Sequence, residues 1–378
     1  MKKLEKNKRK KLAERLNDID FSRIRKAFSL AYEIKNPLDL SIGQPDFDVP
    51  QVVKNFATKA IDLGFNKYTV TNGIFELRKA ISKKLAEENN LYTSPNEIIV
   101  TSGTSAAIFL TFLVLIKPKD EVILFDPYFV TFKIMADFFN ANLRIIDTYP
   151  TFQPDLQKLE RAITPKTKLI IINSPNNPTG IVYKTSLIKG IVDIAKRNNA
   201  YILSDEIYED FIYEGTHFSP GSIYRNTITI NGFSKSCSMS GWRIGYVVAP
   251  KEIIKEMIKW QQFIFVCAPS IAQKAAIEAL KYNNENQIKR YKVKRDIIYN
   301  GLKDYFDIRK PHGAFYIFVK CPYDQNKFIQ DLLKEKVVVV PGDVFSQRKG
   351  YVRISFANSN IVLKKAVSIF RKLALSIK

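Results

Sequence analysis

The feature that most constrains this chain is an alternation. Short strand-like apolar runs at 98–101, 121–125, 168–172, 201–204 and 227–230 are separated by stretches with helical periodicity. Runs of Val, Ile and Leu without polar alternation suit strands covered on both faces. Their regular exchange with helices predicts strand–helix–strand units on a largely parallel sheet. Polar or turn-forming residues follow each run, at 102–105, 126–129, 173–177, Asp205 and 231–235. In open α/β sheets ligands gather beyond the carboxyl ends of the strands, so these segments are expected to meet in one crevice.

Past residue 283 the pattern changes to a long charged helix over 283–306, short strands near 314–319, 337–340 and 351–356, and a terminal helix, which reads as a smaller α+β domain. With 378 residues, 46% of them apolar, and no long polar linker, the chain is expected to form one large domain with this smaller one attached. No stretch reaches the roughly 18 uninterrupted apolar residues of a membrane span. The nearest, 106–116, is broken by Thr111 and ends at Lys117. Residues 2–15 hold eight basic residues and no apolar centre of the signal-peptide kind, and read as a basic amphipathic first helix. Cys237, Cys267 and Cys321 are widely spaced, make no metal-ligand pattern with histidine, and point to a reducing cytoplasm. The net charge of +22 is spread along the chain rather than gathered on a nucleic-acid motif, which argues against nucleic-acid binding and in favour of anionic substrates.

One run concentrates chemistry. Lys235 sits in Gly232-Phe233-Ser234-Lys235-Ser236-Cys237-Ser238-Met239-Ser240-Gly241-Trp242-Arg243-Ile244-Gly245, among hydroxyls and glycines, with a fixed cation eight positions on. A lysine amine condenses with an aldehyde only when neutral, and an ordinary lysine, at about 10.4, is almost wholly protonated at neutral pH. Desolvation or a nearby cation must therefore assist it. Arg243 offers a planar fork for a phosphate, and Ser234 and Ser236 add hydroxyl donors. An amine and a phosphate clamp on one short segment suit a phosphorylated aldehyde cofactor. The other reading, a solvated lysine in a glycine-rich loop, is the common fate of a lysine in a chain with 59 Lys plus Arg.

The run resembles the cofactor-lysine signature of the class I/II aminotransferases, which carry pyridoxal 5'-phosphate (PLP) on fold type I, and the resemblance continues in the family's order from residue 40 to residue 357. It implies an α/β fold with a mostly parallel sheet in a PLP-binding large domain over 46–282. The first 45 residues would pack with 283–378 as the small domain. Lys235 would hold PLP as a Schiff base, with Ser234 and Arg243 on the phosphate.

The remaining motifs gain roles from the same resemblance. Ser204-Asp205-Glu206-Ile207-Tyr208 follows a strand and resembles the segment in which Asp205 would pair with the pyridine nitrogen and Tyr208 would bond the phenolic oxygen; a helix N-cap is the other reading. Ser174-Pro175-Asn176-Asn177-Pro178-Thr179-Gly180 is a stiff turn, and the resemblance gives Asn177 the same phenolic oxygen, against a purely structural turn. Thr101-Ser102-Gly103-Thr104-Ser105 leads into a helix whose first amides favour an anion, so Gly103, Thr104 and Ser105 are assigned to the phosphate. In Pro127-Tyr128-Phe129 the ring stacked on the cofactor is expected to be Phe129, with Tyr128 second and core packing as the alternative. Tyr68, in Tyr68-Thr69-Val70-Thr71-Asn72-Gly73, would reach the phosphate of a neighbouring subunit, which implies a homodimer. Gly43, in Gly43-Gln44-Pro45-Asp46, would contribute backbone contact to the substrate. Arg353 lies inside the apolar strand Tyr351-Val352-Arg353-Ile354-Ser355, where an unpaired charge is costly, and needs an anion. The resemblance gives it the substrate α-carboxylate; a structural salt bridge is the alternative.

The implied activity is PLP-dependent transfer of an amino group from an L-amino acid, aspartate, aromatic or similar, to a 2-oxo acid such as 2-oxoglutarate, by ping-pong half-reactions with Lys235 as the proton carrier. Thr104 stands where some aspartate-active relatives carry a basic residue, so an apolar or aromatic pocket is as well supported, with Ile42, Tyr68 and 263–265 as candidate walls. A carbon–sulfur β-lyase shares the fold and every cofactor residue and is the alternative. A DNA-binding regulator on this fold needs an added domain for which the chain has no room.

Overall fold

The computed structural model describes residues 33–376, so the helix expected over 2–15 lies outside the described residues. In chain order the strands are β1 (Leu38–Asp39), β2 (Ile98–Thr101), β3 (Glu121–Asp126), β4 (Asn142–Asp147), β5 (Thr167–Asn173), β6 (Tyr201–Asp205), β7 (Thr227–Gly232), β8 (Gly245–Val248), β9 (Tyr316–Lys320), β10 (Val337–Val338), β11 (Val340–Pro341) and β12 (Tyr351–Ser355). Strands β2 to β8 form a seven-stranded sheet in the order β2-β8-β7-β6-β5-β3-β4. Pairing is parallel from β7 through to β4, while β8 runs antiparallel to both of its neighbours. Because β2 and β7 both oppose β8, they point the same way. The segment after β2 therefore opens on the same sheet edge as those after β3, β5, β6 and β7.

All five strands expected from the apolar runs are present. Sequence reasoning does not find β4 or β8, and the reasons are physical. β4 is a sheet edge with only Ile146 buried, so Asn142, Arg144 and Asp147 interrupt its apolar residues. β8 is four residues long and directly follows the lysine–arginine run. Unbroken apolar runs reflect burial on both faces. In β5, Leu169 and Ile171 pack with Ala107, Leu110, Ile253 and Met257 on one side, whereas Ile170 and Ile172 pack with Ile188, Ile191 and Ala195 on the other. A large apolar side chain contributes about 1.5–3 kcal/mol when fully buried, so these layers hold helices Gly103–Leu115, Thr185–Arg197 and Lys251–Ile264 on the sheet.

The rest of the chain builds an antiparallel sheet, β11-β12-β9, and a two-stranded parallel pair, β1-β10. Helices Glu285–Leu302, Gln325–Lys334 and Asn360–Leu375 cover them through a cluster that includes Phe306, Phe328 and Phe370. Residues 38–40 belong with this part: Leu40 N donates to Val338 O at 2.9 Å, and Ser355 N donates to Leu40 O at 2.8 Å. The two sheets share packing where they meet. Tyr208 and Phe211, just after β6, pack against Phe315, and Phe318 and Phe345 join the cluster beneath β5. No helix among the described residues is long and apolar enough to cross a membrane.

Gly180 closes the turn after β5 and docks it on the second sheet. Its φ is +71°, its carbonyl accepts from His312 N at 2.9 Å and Gly313 N at 2.8 Å, and an added Cβ would lie 2.4 Å from the Tyr316 carbonyl oxygen. Left-handed backbone and overlap with fixed backbone act together, so Gly180→Ala is expected to cost about 2–4 kcal/mol of unfolding free energy in urea denaturation.

Candidate active site

The segments that leave β2, β5, β6 and β7 meet the second sheet around a cavity of about 440 Å³. Among its lining residues are Gly43, Thr104, Ser105, Phe129, Asn177, Asp205, Tyr208, Ser234, Lys235, Arg243 and Arg353, all singled out from sequence.

Asp205 ends β6, buried, with Ile207 N donating to its Oδ1 at 3.3 Å. Burial pushes its carboxyl up to about 7; the Ile207 bond opposes this, Glu206 adds to it and Lys235 opposes it. Strand alternation sends the next carboxylate elsewhere. Glu206 is fully buried and accepts from Ser204 Oγ and Ser219 Oγ, both at 2.8 Å, with His217 Nε2 at 2.9 Å. Asp205 therefore keeps the cavity side, with no cation in bonding contact among the described residues.

Lys235 Nζ donates to Gly43 O at 2.5 Å and lies 5.8 Å from the Tyr208 ring centre and 5.9 Å from that of Phe315. Burial first, then the charges of Arg353 and Arg243, bring its amine down to about 8, against the pull of Asp205. The sequence argument asked for desolvation or a nearby cation. Both act here.

Arg243 adopts a left-handed backbone, φ +54°, and its Nη1 donates to Ser240 O at 2.9 Å. No described carboxylate forms an ion pair with it. Its Nη2 presses on the start of helix Gly103–Leu115, where a Cβ on Gly103 would lie only 2.4 Å away. Gly103, at φ +76°, does not line the cavity itself but lets the guanidinium approach the helix amides. Those amides, the Thr104, Ser105 and Ser234 hydroxyls, and Arg243 together make an anion cradle.

Arg353 is 1% exposed in β12. Its Nη1 donates to Asn177 Oδ1 at 3.1 Å and its Nη2 to Ser41 O at 2.6 Å, while the rings of Tyr316 and Phe345 stand 4.4 and 4.8 Å from its Cζ. Its Nε is buried without a partner. No described carboxylate pairs with it, so the structural salt bridge is absent among the described residues. Burial lowers its pKa, yet a guanidinium keeps its charge at any working pH. Asn177 is held through its own N–H, which donates to Asn173 Oδ1 at 2.9 Å.

Of the two candidate rings after β3, Phe129 lines the cavity, while Tyr128 is buried in the core beside helix Gly103–Leu115. Tyr68 and Phe263 are 83% and 82% exposed and do not line the cavity of their own chain, so among the candidate walls only Ile42 does. Asn173 lines the cavity as the segment 173–177 was expected to, while sequence reasoning misses Ser41, Thr131 and Tyr316. Tyr316 Oη lies 2.8 Å from Tyr208 Oη, and its only signal is a place in an apolar strand.

The family model for aminotransferase class I and II matches residues 35–369. The chain belongs to this family. This aminotransferase is 41% identical to a probable aspartate aminotransferase of Methanocaldococcus jannaschii, over 96% of this chain and 99% of that protein. It is 38% identical to the aspartate/prephenate aminotransferase of Thermus thermophilus, over 92% and 93%. A solved structure of the aspartate aminotransferase from Thermus thermophilus with maleate superposes with a TM-score of 0.92 at 37% identity, covering 96% of this chain and 99% of that one. The fold is type I, the activity is transamination, and the family's cofactor is PLP.

The raised carboxyl of Asp205 carries a stability signature in the cofactor-free aminotransferase. Its folded pKa, about 7, lies above an unfolded value of about 4, so wild-type stability falls as pH rises between those values and stays lowered above them. Asp205→Asn removes that penalty. Thermal melts of the apo-protein should give a higher Tm for the variant at pH 8 and no difference at pH 4.

Proposed function

We propose that this aminotransferase carries the amino group of an L-amino acid to 2-oxoglutarate through ping-pong half-reactions. One observation supports this above the others: a lysine amine brought down to about 8 shares a cavity with a buried arginine that has no acidic partner among the described residues. A carboxylate is common to amino acids and 2-oxo acids. Arg353 can therefore hold either in turn, with its unpaired Nε as one donor.

PLP fits these residues. A buried Asp205 without a bonded cation suits a protonated ring nitrogen, the cradle at helix Gly103–Leu115 suits a phosphate, and the depressed amine suits an aldehyde. Gly103, Thr104, Ser105, Ser234 and Arg243 would hold the phosphate, Tyr208 and Asn177 the phenolic oxygen, and Phe129 a ring face. Bound PLP supplies an electron sink. Asp205 keeps the ring nitrogen protonated. Lys235 Nζ takes the proton from the amino-acid Cα and returns it to a neighbouring carbon, a short movement for a side chain tethered beside Gly43. Gly43 and Arg353 orient the substrate by backbone and carboxylate contacts.

For the donor side chain, the cavity offers Ile42, Val130 and Ile207 together with the hydroxyls of Ser41, Thr104, Thr131 and Ser240. Its cations, Lys235, Arg243 and Arg353, already have tasks. Among the described lining residues of this chain no cation remains for a second carboxylate, so the distal carboxylate of 2-oxoglutarate would rest on these hydroxyls or on a neighbouring chain, whereas an aromatic or other uncharged donor needs no such partner. Relatives named for aspartate and for aromatic amino acids bracket that choice.

The assembly proposed is a homodimer. Val70, Phe75, Trp260, Phe263 and Ile264 are exposed apolar residues near Tyr68, and Thr71 Oγ1 donates to Gln262 Oε1, which draws the two segments together. A patch of this kind suits burial against a second copy, with Tyr68 entering the neighbour's site. The domain division proposed is 46–282, against 1–45 with 283–378. Three unpaired cysteines support a cytoplasmic setting.

An absorbance scan with PLP tests the reading. A long-wavelength band absent from Lys235→Ala, lost on adding an amino acid and restored by 2-oxoglutarate, is expected; pyruvate release with a persistent band would instead indicate a β-lyase. Attachment of PLP should speed up with pH to about 8 and then level, as Lys235 loses its proton. Mixing Tyr68→Ala with Lys235→Ala chains should give more activity than the two apart, because the mixed dimer has one intact site.

A further inference from the structure

We infer that Tyr316 is a positioning residue that aims the Tyr208 hydroxyl proton into the cavity and braces the Arg353 guanidinium, so that one phenol ties the cofactor side of the site to the carboxylate side. This rests on the roles proposed for Tyr208 and Arg353.

Tyr316 is buried in β9 and lines the cavity. Its hydroxyl lies 2.8 Å from that of Tyr208, and neither hydroxyl has another hydrogen-bond partner among the described residues. Two phenols bring two protons, and one of them fills the bond between the oxygens. If Tyr208 donates to Tyr316, it has no proton left for an acceptor in the cavity. If Tyr316 donates, the Tyr208 proton is directed outward, where the cofactor's phenolic oxygen is placed by the proposed function. The Arg353 guanidinium, 4.4 Å from the Tyr316 ring centre, decides between these. Its positive charge counters the upward push of burial on both phenols, but it lies directly against the ring of Tyr316 and makes no such contact with Tyr208 among the described residues. The more acidic phenol is the better donor, so Tyr316 gives its proton to Tyr208.

The same ring face holds Arg353 in a dry environment, where a cation–π contact is strongest. Gly43 preserves the arrangement: a Cβ there would lie 2.7 Å from the Tyr316 hydroxyl. The two functions of Tyr316 belong to different atoms and can be separated by substitution.

The test uses PLP-loaded wild type, Tyr316→Phe, Tyr316→Leu and Tyr208→Phe. Two quantities are read: the pH midpoint of the bound cofactor's visible absorbance band, and the dissociation constant of 2-oxoglutarate by calorimetry. Donation by Tyr208 lowers the proton affinity of the cofactor's phenolic oxygen and its neighbouring nitrogen, so weaker donation raises the midpoint. Tyr316→Phe should raise it by about 0.5–1 pH unit, the equivalent of one hydrogen bond, and Tyr208→Phe by more. Binding of 2-oxoglutarate should stay within about twofold for Tyr316→Phe, which keeps the ring, and weaken roughly three- to thirtyfold for Tyr316→Leu, which loses it. A wild-type midpoint in Tyr316→Phe beside a shifted one in Tyr208→Phe would overturn the hydroxyl's role, and unchanged binding in Tyr316→Leu would overturn the ring's role. No Lys235-dependent band in wild type, or no shift in Tyr208→Phe, would instead place the failure in the cofactor assignment.

Discussion

A guanidinium held out of water by neutral partners organises this molecule. Arg353 enters from β12, and its hydrogen bonds and ring contacts go to Ser41 on the N-terminal segment, Asn177 on the turn after β5, Tyr316 on β9 and Phe345 before β12. Four pieces of chain that lie far apart in sequence are thereby fixed around one charge. Burying a cation without an anion is expensive, and two hydrogen bonds and two aromatic faces offset only part of that cost. The remaining deficit is a standing demand for a carboxylate. Recognition and architecture are here the same contact seen from two sides.

The electrostatics follow from burial together with that charge. Arg353 and Arg243 flank Lys235 and help bring its amine down toward neutrality, while burial brings Asp205 up from the acid side. A lysine near 8 and an aspartate near 7 are both poised to exchange protons in the pH range of a cell. Neither value comes from a single neighbour. Each reflects the low polarity of a crevice closed by two sheets, which is why the site needs both parts of the fold.

Much of this was legible in the residues. Five strands could be read from unbroken apolar runs because burial on both sheet faces leaves no room for polar alternation, and the segments after them met where the topology of a parallel sheet requires. β8 and β4 were not legible, since a four-residue strand abutting a chemical motif is too short to stand out and a half-exposed edge breaks its apolar run with polar residues. At the site, Arg353 stood out because a charge sits badly in an apolar strand and Lys235 because an amine shares one short segment with a phosphate clamp, while Asp205 and Asn177 gained their roles from the family resemblance. Tyr316 did not stand out. A tyrosine in a strand looks like packing, and its value depends on which hydroxyl and which cation lie beside it, a tertiary fact. The exposed rings of Tyr68 and Phe263 lie outside the cavity of their own chain, a placement that spacing along the sequence does not reveal.

The segment 41–43 holds two of the three cavity-lining cations by its backbone: Ser41 O takes Arg353, and Gly43 O takes Lys235. Carbonyl oxygens are indifferent to the side chain that accompanies them. Ser41 and Ile42 line the same cavity, so either can be exchanged during evolution without disturbing the anchors beside it. Gly43 is the exception, pinned by its closeness to Tyr316. The arrangement separates what must be inherited from what is open to variation, and a lineage can acquire a new taste in substrates at two adjacent positions while its chemistry stays in place.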